Sequence, residues 1–138
     1  MKTFILLLLT LGYSFFGLAQ DEPINIVFDV TSDNPKTQAA AVRHAKAMSK
    51  AYPNAQFEVV MYSGAINMAL PDKSPAAADI AELINNSDNV TFVMCNGTLK
   101  RHNLTQDKLI KGIKVVPDGI LEIVTKQKQG WGYIKESN

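Results

Sequence analysis

The chain has 138 residues, 46% of them hydrophobic and 20% charged, enough for one domain with a sizeable core and too little for two. Its formal net charge of +1 argues against a basic face for nucleic acid or an anionic membrane surface. A single cysteine, Cys95, excludes an intramolecular disulfide framework, and with two distant histidines it shows no metal-ligand spacing.

The first residues, MKTFILLLLTLGYSFFGLAQ, place one cation (Lys2) before an apolar run from Phe4 to Leu11 and end in Gly17-Leu18-Ala19. This is the three-part pattern of a cleaved secretory signal, with an apolar run short for a bilayer span. The reading is a signal peptide over 1–19 and one mature domain over 20–138, periplasmic or secreted and free of the membrane after cleavage. No cysteine follows the run as a lipid attachment point. Asn-x-Ser/Thr triplets at Asn85, Asn89, Asn96 and Asn103 are taken as chance in an Asn-rich chain.

Short β-rich runs then alternate with helical segments. INIVFDV (24–30) is a near-continuous apolar run, as in a strand covered on both faces. Asn34-Pro35 reads as a helix cap with proline in the first turn. The helix that follows is expected to turn Val42, Ala45, Ser49 and Tyr52 inward and to stop at Pro53. QFEVVMY (56–62) is the second strand. A short helical turn runs from Ser63-Gly64 to Leu70, and Ser74-Pro75 starts a helix burying Ile80, Leu83 and Ile84. NVTFVMC (89–95) is the third strand, followed by a helical piece over 98–102. IKVVP (113–117) is a brief fourth. Asp118-Gly119 caps a last helix with Ile120, Leu121 and Val124 expected to face inward, and WGYIK (131–135) closes the chain.

Five alternations with short connections predict an α/β fold: a three-layer α/β/α domain around a mainly parallel, five-stranded, flavodoxin-like sheet. With strand order 2-1-3-4-5, the order would reverse between the first and third strands, where open sheets bind ligands. The loops 31–36 and 95–98 would then face each other, with Cys95 open to solvent at the mouth. A thiolate is favoured there by the N–H groups of Asn96, Gly97 and Thr98, while Ser32 to Asn34 would line the facing wall. The competing reading is an inert core cysteine, a residue type often buried. Neither His44 nor His102 is placed as a base for acyl transfer. The hydroxyl-rich loop after the first strand admits a flavin or nucleotide, but Asp33 puts a negative charge in it and no glycine opens it. Trp131 and Tyr133 read as packing or as a subunit interface.

The ordered set INIVFDVTSDNP, FEVVMYSGAI, VTFVMCNGTLKRHNL and IKVVPDGILEIVTKQKQGWGYIK resembles the DsrE/DsrF-like sulfur-relay family, in its short secreted branch. The resemblance implies homo-oligomers, as trimers or hexamers, and members whose strand-end cysteine carries sulfane sulfur as a persulfide between a donor and an acceptor protein. Cys95 stands at that position. The expectation is an exported sulfur carrier with Cys95 as attachment point, needing no cofactor, more carrier than turnover enzyme. The alternative is a binding or scaffold module with an inert cysteine, and after that a flavin or nucleotide binder.

Overall fold

The computed structural model describes residues 22–137, so the expected signal segment lies outside the described residues. Five parallel strands form one sheet: β1 (Ile26–Val30), β2 (Phe57–Met61), β3 (Val90–Cys95), β4 (Lys114–Val116) and β5 (Gly132–Glu136). Each lies within the run predicted for it, or extends one residue past it. The helices are α1 (Pro35–Ala51), α2 (Ala77–Asn86), α3 (Asn96–Arg101) and α4 (Gly119–Lys128), with a 3-10 helix over Ser63–Ala69 and a one-turn piece over Gln106–Lys108. The three-layer α/β/α architecture is as the sequence implies. Among the described residues no helix is long and apolar enough to cross a membrane.

The strand order differs from the expected 2-1-3-4-5. It is β4-β3-β2-β1-β5, so β2 rather than β3 lies beside β1, and the chain returns from one edge to the other before β5. Right-handed crossovers that advance in one direction share a face, and one that runs back must use the other. This accounts for the layers. The apolar residues of α1, the 3-10 helix, α2 and α3 join one core with Phe28, Val30, Phe57, Val59, Met61, Phe92 and Met94. On the opposite face α4 contributes Ile123 to a thinner core of Val27, Val60 and Val93, flanked by Tyr62, Val116 and Trp131.

Local chemistry sets the element ends. The Asn34 side chain accepts the Lys36 N–H at 2.9 Å, and Pro35 opens α1 without the donor a first turn cannot use. Asp118 caps α4 by accepting from Ile120 at 2.8 Å and Leu121 at 3.0 Å. Ser74 accepts the Ala76 N–H at 3.3 Å, which shapes the turn ahead of α2 rather than capping it, and α2 starts two residues after Pro75. Buried Asn89 donates its amide to the carbonyls of Ser49, at 3.2 Å, and Ala55, at 3.1 Å, tying the end of α1 to β3. The triplet at Asn89 is thus a structural amide, unavailable to a glycan.

Two burial expectations fail. Tyr52, at the end of α1, is 55% exposed, because the helix ends there and the side chain leaves the sheet. In α4 the inward residue is Ile123, while Ile120, Leu121 and Val124 are exposed at 61%, 62% and 44%. This ten-residue helix carries apolar side chains on two sides, and the sheet uses one of them.

Gly112 and Gly130 both hold left-handed backbones, with φ of 97° and 87°. A Cβ at Gly112 would collide with the branched Cγ2 of Ile84, whereas one at Gly130 meets nothing. Gly130→Ala is expected to cost about 1 kcal/mol from backbone strain alone. Gly112→Ala adds overpacking for a total of about 3 kcal/mol. Denaturant unfolding of the two variants measures both, and equal losses would contradict the packing at Ile84.

Candidate functional site

In an open parallel sheet a crevice forms where neighbouring strands send their connections to opposite faces. Here that place lies between β3 and β4. β3 runs into α3, whose Leu99 belongs to the main core, and β4 runs into α4 on the other face. Cys95 is the last residue of β3 and pairs with Val116, the last of β4. Alternation along β3 turns it to the α4 side, with Val93. The reversal is thus not between β1 and β3 as expected, yet Cys95 still stands at it.

The thiol is not open at the rim: Cys95 is only 7% exposed. The first turn of α4 closes over it, and a Cβ on Gly119 would lie 3.3 Å from the Cys95 Cβ and 3.3 Å from the Tyr62 ring. The closure is polar rather than aliphatic. Burial pushes the thiol pKa up, but the backbone N–H groups of Gly119, Thr98 and Gly97 and the Thr98 hydroxyl outweigh it and set the pKa below its ordinary value. Gly97 is exposed, and a Cβ there would sit 3.5 Å from the sulfur, so the glycine leaves solvent one close approach.

Of the residues singled out in the sequence, Gly97 and Thr98 are gathered at the thiol, and Asn96 opens α3 half-buried beside them. Ser32 and Asn34 do not form a facing wall. β2 separates β1 from β3, and both residues serve α1: Ser32 Oγ accepts the Asn34 N–H at 3.1 Å, and its carbonyl accepts from Gln38 at 2.9 Å. Gly119, from 24 positions further on, escaped the sequence reading. Its one signal was the Asp-Gly helix start, which says nothing of a strand-end neighbour. Tyr62 and Ser63 also went unnoticed as neighbours of this end of the sheet.

A polar network continues across the α4 face. Buried Asp29 accepts from Tyr133 at 2.7 Å and Lys135 at 3.0 Å, with the Tyr62 hydroxyl at 3.5 Å. Lys135 also donates to Thr31 at 2.7 Å, which occupies the loop hydroxyl considered for a phosphate. The hydrogen bond to Asp29 pushes the Tyr133 phenol up to about 12, and burial, then the Asp29 charge, raises Tyr62. Both phenols stay protonated near neutral pH; Tyr62 is the one close to the thiol, and Tyr133 lies three strands away on β5. His44 is engaged elsewhere, 2.8 Å from buried Glu136, and His102 is exposed at the end of α3. A groove of about 1000 Å³, lined by Ile24, Met48, Tyr52, Pro53 and Phe57, lies at the amino ends of β1 and β2, remote from Cys95.

Because the folded thiol ionises below its ordinary 9.0, the thiolate adds stability above the unfolded midpoint, and that gain is lost as pH falls through the folded one. Alkylation of native Cys95 by iodoacetamide is therefore expected to reach half its plateau rate at lower pH than in the urea-unfolded chain. The native plateau should lie at least about tenfold below the unfolded one because the sulfur is buried. Coincident midpoints would contradict the donor arrangement.

The sequence pattern of the DsrE/DsrF-like family matches residues 25–135, from just before β1 to one residue short of the end of β5. Among curated proteins none matches. Among solved structures, a protein of unknown function, MTH1491 from Methanobacterium thermoautotrophicum, is 28% identical with a TM-score of 0.74, covering 81% of this chain and 98% of its own. The ychN protein from E. coli is 15% identical with a TM-score of 0.67, covering 83% and 98%. A conserved protein of unknown function, BT1422 from Bacteroides thetaiotaomicron, is 12% identical with a TM-score of 0.65, covering 80% and 93%. The last two show likeness of fold alone. With its α/β/α fold and the match over nearly all the described residues, the chain belongs to the DsrE/DsrF-like family, which is generally associated with sulfur relay.

Proposed function

We propose that the protein is an exported, oligomeric sulfur carrier in which Cys95 holds a sulfane sulfur atom as a persulfide and passes it on. The observation that carries this reading is the strand-end position of Cys95, with its pKa held below the ordinary value by the backbone N–H groups of Gly119, Thr98 and Gly97, in a chain of a family associated with sulfur relay. Thiol exchange needs a thiolate to attack, and a stabilised thiolate also leaves readily. Thr98 and Gly97 serve the anion, and Asn96 opens the helix ahead of them. Ser32 and Asn34 support α1 rather than the sulfur. The signal-like pattern of the segment 1–19 supports export of the carrier to the periplasm or outside the cell.

The test is intact mass after incubation with inorganic polysulfide. The native chain is expected to gain one sulfur atom, and Cys95→Ala none. No gain on the native chain, or equal gain on the unfolded one, would sink the carrier. The 7% exposure of Cys95 favours a second reading, a binding module with an inert cysteine. That reading predicts no gain on the native chain and unchanged partners for Cys95→Ala.

The oligomer rests on α4. Ile120, Leu121 and Val124 lie within one turn of each other on its outer side and stand in solvent, on the face where one helix spans a five-stranded sheet. A second copy of this chain is the proposed cover, in a trimer or hexamer. Leu121→Glu is expected to shift the sedimentation coefficient to that of a monomer while the far-UV circular dichroism stays that of the folded chain, because the exposed side chain leaves the core intact. A native chain that already sediments as a monomer at high concentration would refute the assembly.

A further inference from the structure

The near-neutral charge of the chain hides an uneven distribution. Between Asn96 and Val116 stand five cations, Lys100, Arg101, Lys108, Lys111 and Lys114, against one acid, Asp107. The other described residues hold eight lysines and arginines against eleven aspartates and glutamates, so a positive edge sits on a mildly negative body. All five cations are exposed. Lys108 pairs with Asp107 at 3.3 Å, and among the described residues the other four form no ion pair. Lys46, Lys126 and Lys135, by contrast, each meet a carboxylate at 3.0 Å or less.

The backbone that carries these cations is pinned to the fold. Leu99, Leu109, Ile110 and Ile113 are buried in the main core, which turns the charged residues between them outward. Asn103, in a left-handed backbone with φ 51°, ends α3, and the Leu104 N–H returns to the Leu99 carbonyl at 3.0 Å. The Ile110 N–H donates to the Ala69 carbonyl at 2.9 Å, and Lys114 enters the sheet beside Val93. The cations thus run from the last turn of α3 to the edge strand β4 on one ordered connection. A lysine on an edge strand guards against pairing with another sheet, but that account reaches Lys114 alone.

We propose that this edge is a docking surface for an acidic segment of another protein. Like charges held close repel one another, and a partner that neutralises several at once relieves that repulsion. No aromatic side chain lies between Asn96 and Val116 on which a nucleic-acid base could stack. Every apolar side chain of the segment is buried or packed against a core, so none is free to enter a lipid headgroup layer. A second copy of this chain is a poor match as well. Its Asp29, Glu58, Asp79, Glu82 and Glu122 are held by its own lysines. The acids left over, Glu22, Asp33, Asp72, Asp88 and Asp118, are scattered singly along the sequence. The surface goes beyond the carrier reading and holds whether or not Cys95 takes up sulfur.

The experiment titrates a fluorescein-labelled oligoglutamate peptide with the native mature chain and follows fluorescence anisotropy at low salt. Binding is expected, and raising the salt past physiological strength should weaken it at least about tenfold. Removing two edge cations, as Lys100→Gln with Arg101→Gln, should weaken it about tenfold at low salt. Lys111→Gln with Lys114→Gln should do the same, and stands in for the first pair if that one disturbs the far-UV circular dichroism. Arg43→Gln with Lys50→Gln takes the same charge from exposed positions on α1 and should leave binding within about twofold. No binding by the native chain, or equal weakening by the α1 pair, would overturn the docking edge. Oligothymidine or phosphatidylglycerol vesicles that bind more tightly than the peptide, and lose binding with the edge pairs, would overturn an acidic polypeptide as the occupant.

Discussion

The right-handed crossover is the constraint from which the rest follows. Three successive steps, β1 to β4, carry the chain one way with their helices on one face. The return to β5 must run beneath the sheet. The connection after β4 therefore leaves on the side opposite to the one after β3, and the two strand ends part around a cleft. Cys95 and Val116 are paired residues at that parting. The start of α3 and the start of α4 approach one sulfur from two sides because the chain has no other way home.

Burial and ionisation pull against each other at Cys95. A thiol 7% exposed in apolar surroundings would resist losing its proton. Hydrogen bonds to charged groups are worth about 1.5–3 kcal/mol each, so several together exceed the penalty where one would not. The backbone N–H groups of Gly119, Thr98 and Gly97 and the Thr98 hydroxyl outweigh burial, and the direction of the thiol's shift is downward. The donors also explain the glycines. Gly119 must bring its N–H to within reach of a strand-end side chain wedged against Tyr62, and a Cβ would press on both. Closure protects the sulfur from bulky reagents, and exposed Gly97 leaves a small species a way in.

The elements were legible because their signals are local. Alternation and β-branched runs mark the strands to within a residue or two at most ends, and Asn34-Pro35 and Asp118-Gly119 mark helix starts by capping chemistry. Cys95 at a strand end was legible for the same reason. Strand order was not, since no local pattern states which strand lies beside β1. The choice of 2-1-3-4-5 assigned Ser32 and Asn34 to a wall that β2 in fact separates from the thiol. Gly119 was out of reach because its contribution is a backbone N–H, whose direction depends on a turn and not on a side chain. In α4, periodicity marked an apolar helix but not which side meets the sheet, and Ile123 rather than Ile120, Leu121 and Val124 is the inward residue.

The two faces of the sheet are unequal, and that inequality joins the chemistry to the surface. The α1 face holds three phenylalanines and most of the buried side chains, so its contribution to stability is the larger. The α4 face has a thin core, a carboxylate network around Asp29, and one helix tied down by Ile123 and by Lys126, which pairs with buried Glu58 at 3.0 Å and lies over the Trp131 ring. Burial raises the Glu58 pKa and Lys126 counters it, so this anchor is a compromise rather than a strong clamp. The first turn of α4 gives Gly119 to the thiol, and the next two residues, Ile120 and Leu121, begin the exposed stripe. The turn that closes over the sulfur is also the turn where the exposed apolar stripe begins. The stripe and the thiol thus share one helical backbone, and a change in the first turn of α4 bears on both the surface and the surroundings of Cys95.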